Sequence, residues 1–216
     1  MSDKSTRVTE EHFRYIAEHT AGEDDFLREL KAAAAAAGIP PIWIAPEQAS
    51  FMQILLRATG AREVVEIGTL AGYSAIAMAR ALPPGGHVRT IELDPARAAF
   101  AREWAARSDV ADRVVVHQGA GMDVLRTFAV DSADAAFLDA DKSGYVAYLG
   151  ECLRIVRRGG LILVDNAFAF GELLAEHPTD LEVPVVRAFN EHMARVRELD
   201  SVIVPIGDGL WVGVKR

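Results

Sequence analysis

The stretch Val64-Val65-Glu66-Ile67-Gly68-Thr69-Leu70-Ala71-Gly72-Tyr73-Ser74 reads as a buried strand, a glycine-punctuated turn and the opening of a helix. Near-continuous Val and Ile over so few residues suits a strand covered on both faces. Downstream, strands and helices alternate without an internal sequence repeat. Helix is expected over 73–81, strand over 88–93, and helix over 95–107, with Pro95 at a favoured first-turn position. Strands follow at 114–117, 135–138 and 161–164, separated by helices at 123–128 and 145–156. A long loop and a helix over 183–199 come next. Strands alternating with helices of this length build βαβ units and a mostly parallel sheet, so the fold class is α/β. The tail breaks the pattern: 201–205, then Gly207-Asp208-Gly209, then 210–214 read as an antiparallel hairpin.

At 216 residues, half of them hydrophobic and a quarter charged, the chain has the make-up of one soluble domain covering 1–216. A net charge of −8 argues against a non-specific grip on nucleic acid or on an anionic membrane. The single cysteine, Cys152, sits in an apolar stretch and reads as a core residue. Residues 1–10 are polar, which predicts no secretory signal, and no apolar run is long enough to span a bilayer; the expected location is cytoplasmic. Upstream of the first strand, two helical patterns occupy 10–37, the second ending in alanines 32–37 with Gly38 as its cap. Prolines 40, 41 and 46 constrain Ile42-Trp43-Ile44, and a helix is expected over 47–58. The domain thus divides into an N-terminal segment, 1–45, and a core, 46–216.

The turn after the first strand reads either as a ligand loop or as a purely structural turn. Gly68 and Gly72 permit tight turning and close backbone approach. A dinucleotide fingerprint needs glycine where this chain has Leu70. Glu66 is awkward beside a pyrophosphate but well placed for a cationic amino group. Glu92, at the end of the second strand, stands where an acid accepts both hydroxyls of a ribose.

Two further strand ends carry acids: Phe137-Leu138-Asp139-Ala140-Asp141-Lys142 and Leu163-Val164-Asp165-Asn166. In an open α/β sheet ligands sit beyond the carboxyl ends of the strands. Hard oxygen donors from two neighbouring strand ends, with a lysine one step away, suit a divalent cation and a proton acceptor. Asp141 either supports Lys142 or faces solvent, and it is not counted as a ligand.

The set Glu66, Gly68, Gly72 and Glu92 resembles the cofactor site of class I S-adenosylmethionine-dependent methyltransferases, and the closing hairpin matches that family's antiparallel last strand. Asp139, Lys142, Asp165 and Asn166 resemble the cation-dependent catechol and caffeoyl-CoA O-methyltransferase family over roughly residues 40–216. The resemblance implies a Rossmann-like seven-stranded sheet with helices on both faces. It implies S-adenosylmethionine bound by Ile44, Glu66, Gly68, Thr69, Gly72, Ser74, Glu92, Gly119, Ala120 and Asp139. It also implies Mg²⁺, or another divalent cation such as Mn²⁺ or Ca²⁺, on Asp139, Asp165 and Asn166. Lys142 becomes the general base, paired with Asp139 in the catalytic set, and His117-Gln118-Gly119-Ala120-Gly121 passes the adenine. The reaction implied is methyl transfer to a hydroxyl of a small catechol-like phenol. The partners implied are that phenol and a second copy of the chain, as a homodimer in which residues 10–37 cap the site or form the contact.

Some positions depart from the animal catechol enzyme: Ala140 replaces a histidine, Gly121 a serine, and Asp141 an aromatic residue, which brings the chain closer to the plant and bacterial branch. Residues 167–182 do not resemble the plant CoA-recognition segment, so a small phenol is expected. Trp43, Phe168 and Phe170 are candidates for the acceptor pocket or for the core. Alternatives are a methyltransferase on a non-catechol acceptor without catalytic metal, a nicotinamide-dependent oxidoreductase, and a non-catalytic binding domain.

Overall fold

The computed structural model describes residues 8–20 and 22–216. The first seven residues of the polar start lie outside that range. Three helices come first: α1 (Glu10–His19), α2 (Asp25–Ala36) and α3 (Pro46–Thr59). The chain continues through β1 (Glu63–Ile67), α4 (Tyr73–Ala79), β2 (His87–Glu92), α5 (Pro95–Arg107), β3 (Val114–Gln118), α6 (Gly121–Leu125) and β4 (Ala133–Leu138). A 3-10 turn at Lys142–Gly144 leads into α7 (Tyr145–Ile155), and then come β5 (Val156–Val164), α8 (Val183–Met193), β6 (Leu199–Val204) and β7 (Leu210–Lys215).

The seven strands form one sheet in the order β3-β2-β1-β4-β5-β7-β6. The pairs from β3 through β5 are parallel, whereas β7 runs antiparallel to β5 and to β6. Strand direction and the alternation of side chains divide the core in two. Val64, Val88, Phe137 and Leu163 face a layer built by α2 to α5, with Leu30, Met52, Ile76 and Trp104 among its buried residues. Val65, Ile91, Leu138 and Val164 face α6 to α8, with Leu125, Leu149, Cys152 and Phe189 beneath them. Both faces of the central strands are therefore covered, which explains their unbroken apolar runs. Helix α2 contributes Leu27, Leu30 and Ala34 to the first layer and so belongs to the same core as the sheet.

The expected α/β sheet with its antiparallel ending is present. The two largest differences in bounds from the sequence reading concern α8 and β5. The last helix stops at Met193 rather than running to 199, because Leu199 opens β6 and pairs with Lys215. Strand β5 starts at Val156, directly at the end of α7, and not at 161. Among the described residues no helix is long and apolar enough to cross a membrane.

The order of the sheet reverses at β1, whose neighbours are β2 on one side and β4 on the other. That reversal opens a crevice beyond the carboxyl ends of the strands. Backbone bonds continue past the strand ends and hold the crevice walls in register. Gly68 N–H donates to the Ile91 carbonyl at 3.0 Å, Gly119 to Glu92 at 2.9 Å, Asp139 to Ile67 at 2.9 Å and Asp165 to Leu138 at 3.0 Å. The residues just past four of the parallel strands are thus fixed by neighbouring strands.

Candidate active site

The crevice is a cavity of about 1110 Å³. Of the expected site residues, Ile44, Gly68, Thr69, Ser74, Glu92, Gly119, Ala120, Asp139, Lys142, Asp165 and Asn166 all line it. Glu66 and Gly72 stand behind the wall. Glu66 is fully buried and accepts a hydrogen bond from the Ser74 hydroxyl, and Gly72 packs on Ala101.

The loop from 68 to 72 takes its shape from three left-handed residues: Gly68 at φ +97°, Leu70 at φ 50° and Gly72 at φ +89°. Leu70 adopts a conformation that leucine enters at a cost, and its N–H donates to Oε2 of Glu92 at 2.8 Å. The other oxygen, Oε1, accepts the Asp94 N–H at 3.0 Å. A Cβ on Gly68 would fall 1.8 Å from the backbone oxygen of Asp139, so the loop lies directly against the end of β4.

The charges of the cavity are poorly neutralised from within. Oε2 of Glu66 is buried and makes no hydrogen bond in the structure. Burial pushes the Glu66 carboxyl up to about 8, and the acids Asp139 and Glu92 add to the effect. A desolvated carboxylate oxygen without a donor fits a cationic amino group such as that of an amino-acid moiety. Asp139 and Asp165 meet in the same cavity. Burial raises the Asp139 carboxyl, opposed by the Lys142 ammonium, and Asp165 is pushed up to about 7 by burial and then by the charge of Asp139. Lys142 Nζ lies 3.4 Å from Oδ1 of Asp139 and 2.7 Å from the Tyr145 oxygen. The half-buried Asp139 carboxylate, the buried Asp165 carboxylate that it raises, and an amide at the next residue form an oxygen-donor set that suits a hard cation. Among the described residues no group of three His, Cys, Asp or Glu side chains forms such a site, and the other oxygen donor at this strand end is the Asn166 amide.

The remaining expected residues divide between the cavity and its surroundings. Asp141 faces solvent, the second of its two readings, and it accepts from the Tyr148 hydroxyl at 2.7 Å and from Ser143 Oγ and Gly144 N–H, both at 3.0 Å, capping the 3-10 turn. Trp43 and Phe170 line the cavity, whereas Phe168 does not and packs against Gly209 instead. His117 lies in a side pocket beyond Gly119, with Nε2 buried and unbonded, and burial lowers its pKa. Cys152 is a core residue, and burial pushes its thiol up.

Three residues with no role assigned from the sequence belong to the site. Gln48 Nε2 donates to Oδ1 of Asp165 at 2.7 Å. Tyr145 holds Lys142. Asp208, from the β6–β7 turn, accepts from Nδ2 of Asn166 at 3.0 Å.

A parallel sheet closed by an antiparallel strand, with this cleft at the point of reversal and acids at the ends of β1, β2, β4 and β5, defines the class I methyltransferase architecture. The profile of the family described as O-methyltransferase matches residues 17–216. The catechol O-methyltransferase of Niastella koreensis is 36% identical over 215 residues, 98% of this chain and 95% of that protein. The catechol O-methyltransferase of Mycobacterium tuberculosis is 39% identical over 193 residues, 89% and 87% of the two chains. The O-methyltransferase of Bacillus cereus, solved in complex with SAH, superposes with a TM-score of 0.84 at 33% identity, covering 94% of this chain and 96% of that one. The chain belongs to the O-methyltransferase family, and it is an S-adenosylmethionine-dependent enzyme of the bacterial branch. That membership sets aside the nicotinamide-dependent and non-catalytic alternatives.

Proposed function

We propose that the enzyme moves the methyl group of S-adenosylmethionine to one hydroxyl of a vicinal diphenol, with Mg²⁺, or another divalent cation such as Mn²⁺ or Ca²⁺, held by Asp139, Asp165 and Asn166. The observation that carries this reading is the meeting of two carboxylates, the buried Asp165 and the half-buried Asp139, with the Lys142 side chain beside them in one cleft. The names of the Niastella and Mycobacterium relatives support the acceptor class, and the SAH in the Bacillus protein supports the donor.

When bound, the donor supplies an electrophilic methyl on a sulfonium, and the cation supplies Lewis-acid stabilisation of an ionised phenol. The chain's own residues bind, orient and move a proton. Glu66 and Ser74 offer a negative seat for the donor's amino group, Glu92 faces its ribose, and Gly119 and Ala120 let the base lie against backbone. A phenol has a pKa of about 10, so at neutral pH it needs a base to become a nucleophile. Lys142, as the neutral amine, takes that proton at Nζ and becomes the ammonium, held in place by Tyr145 and Asp139. Trp43 and Phe170 give apolar walls that set the ring's plane. Holding acceptor and methyl at near-attack distance then removes much of the barrier. Asp180 and Glu182 also line the cavity, and their charge opposes a polyanionic acceptor such as a CoA thioester.

The test is methylation of caffeate, catechol and a monophenol, each with Mg²⁺ and with EDTA. Diphenol-selective turnover that stops in EDTA is expected. Turnover of the monophenol that ignores EDTA would overturn the reading in favour of a metal-free acceptor chemistry.

A further inference from the structure

The turn Gly207-Asp208-Gly209 does more than join β6 to β7. Both glycines are left-handed, at φ +55° and +80°. Both are in close contact: a Cβ on Gly207 would lie 2.0 Å from Oε1 of Gln48, and one on Gly209 2.7 Å from Cγ of Phe168. The turn is therefore wedged between α3 and the loop after β5, and it delivers Asp208 to the cavity wall.

There the Asp208 carboxylate gathers three donors from one loop. Oδ2 accepts Nδ2 of Asn166 at 3.0 Å and the Phe170 N–H at 2.8 Å, and Oδ1 accepts the Gly171 N–H at 3.2 Å. That loop holds three non-glycine residues at positive φ, Asn166 at 62°, Ala169 at 52° and Phe170 at 58°, a conformation that persists only with support from outside the segment. A carboxylate accepts and does not donate, so the Asn166 atom that meets it is the amide nitrogen. The carbonyl oxygen of Asn166 is then the atom left for the cavity.

We propose that Asp208 is a positioning residue that locks the amide of Asn166 oxygen-inward and pins the backbone at 170–171. Resting on the metal reading above, this makes the hairpin turn the support that presents the third oxygen donor to the cation. The partners of metal ligands fix which atom a ligand offers, and their removal costs about tenfold to a hundredfold in metal affinity.

The test compares D208A and D208N with the wild type in three measurements: Mn²⁺ affinity by electron paramagnetic resonance, amide exchange at Phe170 and Gly171, and SAH affinity. In D208A, Mn²⁺ affinity is expected to fall about tenfold or more and exchange to rise, with SAH affinity unchanged. D208N, which keeps one acceptor oxygen, falls between, and it decides the matter by the same readouts if D208A does not fold. Unchanged Mn²⁺ affinity and unchanged exchange overturn the proposal. Weaker Mn²⁺ binding with unchanged exchange also overturns it, since Asp208 would then act as a ligand itself. If the wild type binds no Mn²⁺, the metal reading fails, and exchange at Phe170 and Gly171 decides for Asp208 alone: protection kept in the variants overturns it, protection lost supports it.

Discussion

Nζ of Lys142 stands 2.7 Å from the phenolic oxygen of Tyr145, with the lysine 6% and the tyrosine 1% exposed. The ammonium also lies 4.7 Å from the centre of the same ring, which meets Phe189 edge-on at 5.1 Å. Tyr145 is thus fixed by the core and in turn fixes the proposed base. Y145F keeps the ring and its packing but removes the oxygen. It is expected to lower kcat about tenfold while the KM for the phenol stays close to wild type, because what is lost is orientation of Lys142. K142M removes the proton acceptor and is expected to lower kcat by about 10² to 10⁴. Steady-state kinetics on both variants checks this; wild-type kcat in Y145F would remove Tyr145 from the mechanism.

Asp165 offers a sharper contrast. Its carboxyl is pushed up to about 7 by burial and by the neighbouring Asp139. In the metal-free protein its ionisation therefore costs stability, a cost that grows as pH rises from the ordinary carboxylate range to about 7 and is complete above it. In D165N the amide oxygen can still accept from Gln48, and no charge is buried. Metal-free D165N is expected to melt about 4 °C above wild type at pH 8, with the gap closing toward pH 5. Added Mn²⁺ should stabilise the wild type and leave the variant unmoved. Thermal melts at both pH values with and without Mn²⁺ decide it, and a D165N protein that melts below metal-free wild type at pH 8 would contradict the account.

The strand ends were legible in the sequence because each closes a short buried run: Val64 to Ile67, Phe137-Leu138, Leu163-Val164. Burial on both faces forces apolar residues at successive positions, so the first polar residue marks the crevice. The end of α8 was not legible. Residues 194–198 keep a helix-like composition, and only pairing of Leu199 with Lys215 across the sheet turns the chain from 199 onward into strand. The supports of the site were hidden for a related reason. Gln48 and Asp165 are 117 positions apart, and Asn166 and Asp208 are 42 apart. No local pattern announces such pairs. Tyr145 read only as the start of a helix, although its spacing of three from Lys142 offered a signal.

Glycine positions separate site constraint from turn preference. At Gly68 an added Cβ meets the Asp139 backbone oxygen at 1.8 Å, in a left-handed conformation at φ +97°. At Gly60, the cap of α3, φ is +64° and nothing lies within 4 Å. G60A therefore carries only the left-handed penalty, about 1–2 kcal/mol. G68A adds a backbone clash and is expected to cost more than about 3 kcal/mol or to displace the loop, with loss of SAH binding. Denaturant titration of the two variants checks the ranking, and equal losses would mean that the close approach at Gly68 has no energetic weight.

Glu66 leads to a prediction about protons. In the cofactor-free protein its carboxyl is pushed up to about 8 by burial, so at pH 7 it is largely protonated. Below the ordinary carboxylate range this group leaves stability unaffected; as pH rises from there through about 8, the folded state loses stability, because the unfolded chain ionises first. A cationic amino group brought near its unpartnered Oε2 lowers that pKa again, and binding must then release the proton. Calorimetric titration with SAH in buffers of different ionisation enthalpy is expected to show release of about one proton at pH 7 and close to none at pH 9.5. E66Q has no proton to release and is expected to bind SAH at least about tenfold more weakly, since a buried charge-assisted partner is gone. Equal proton release from wild type and E66Q at pH 7 would assign the proton to another group and reduce Glu66 to a structural partner of Ser74.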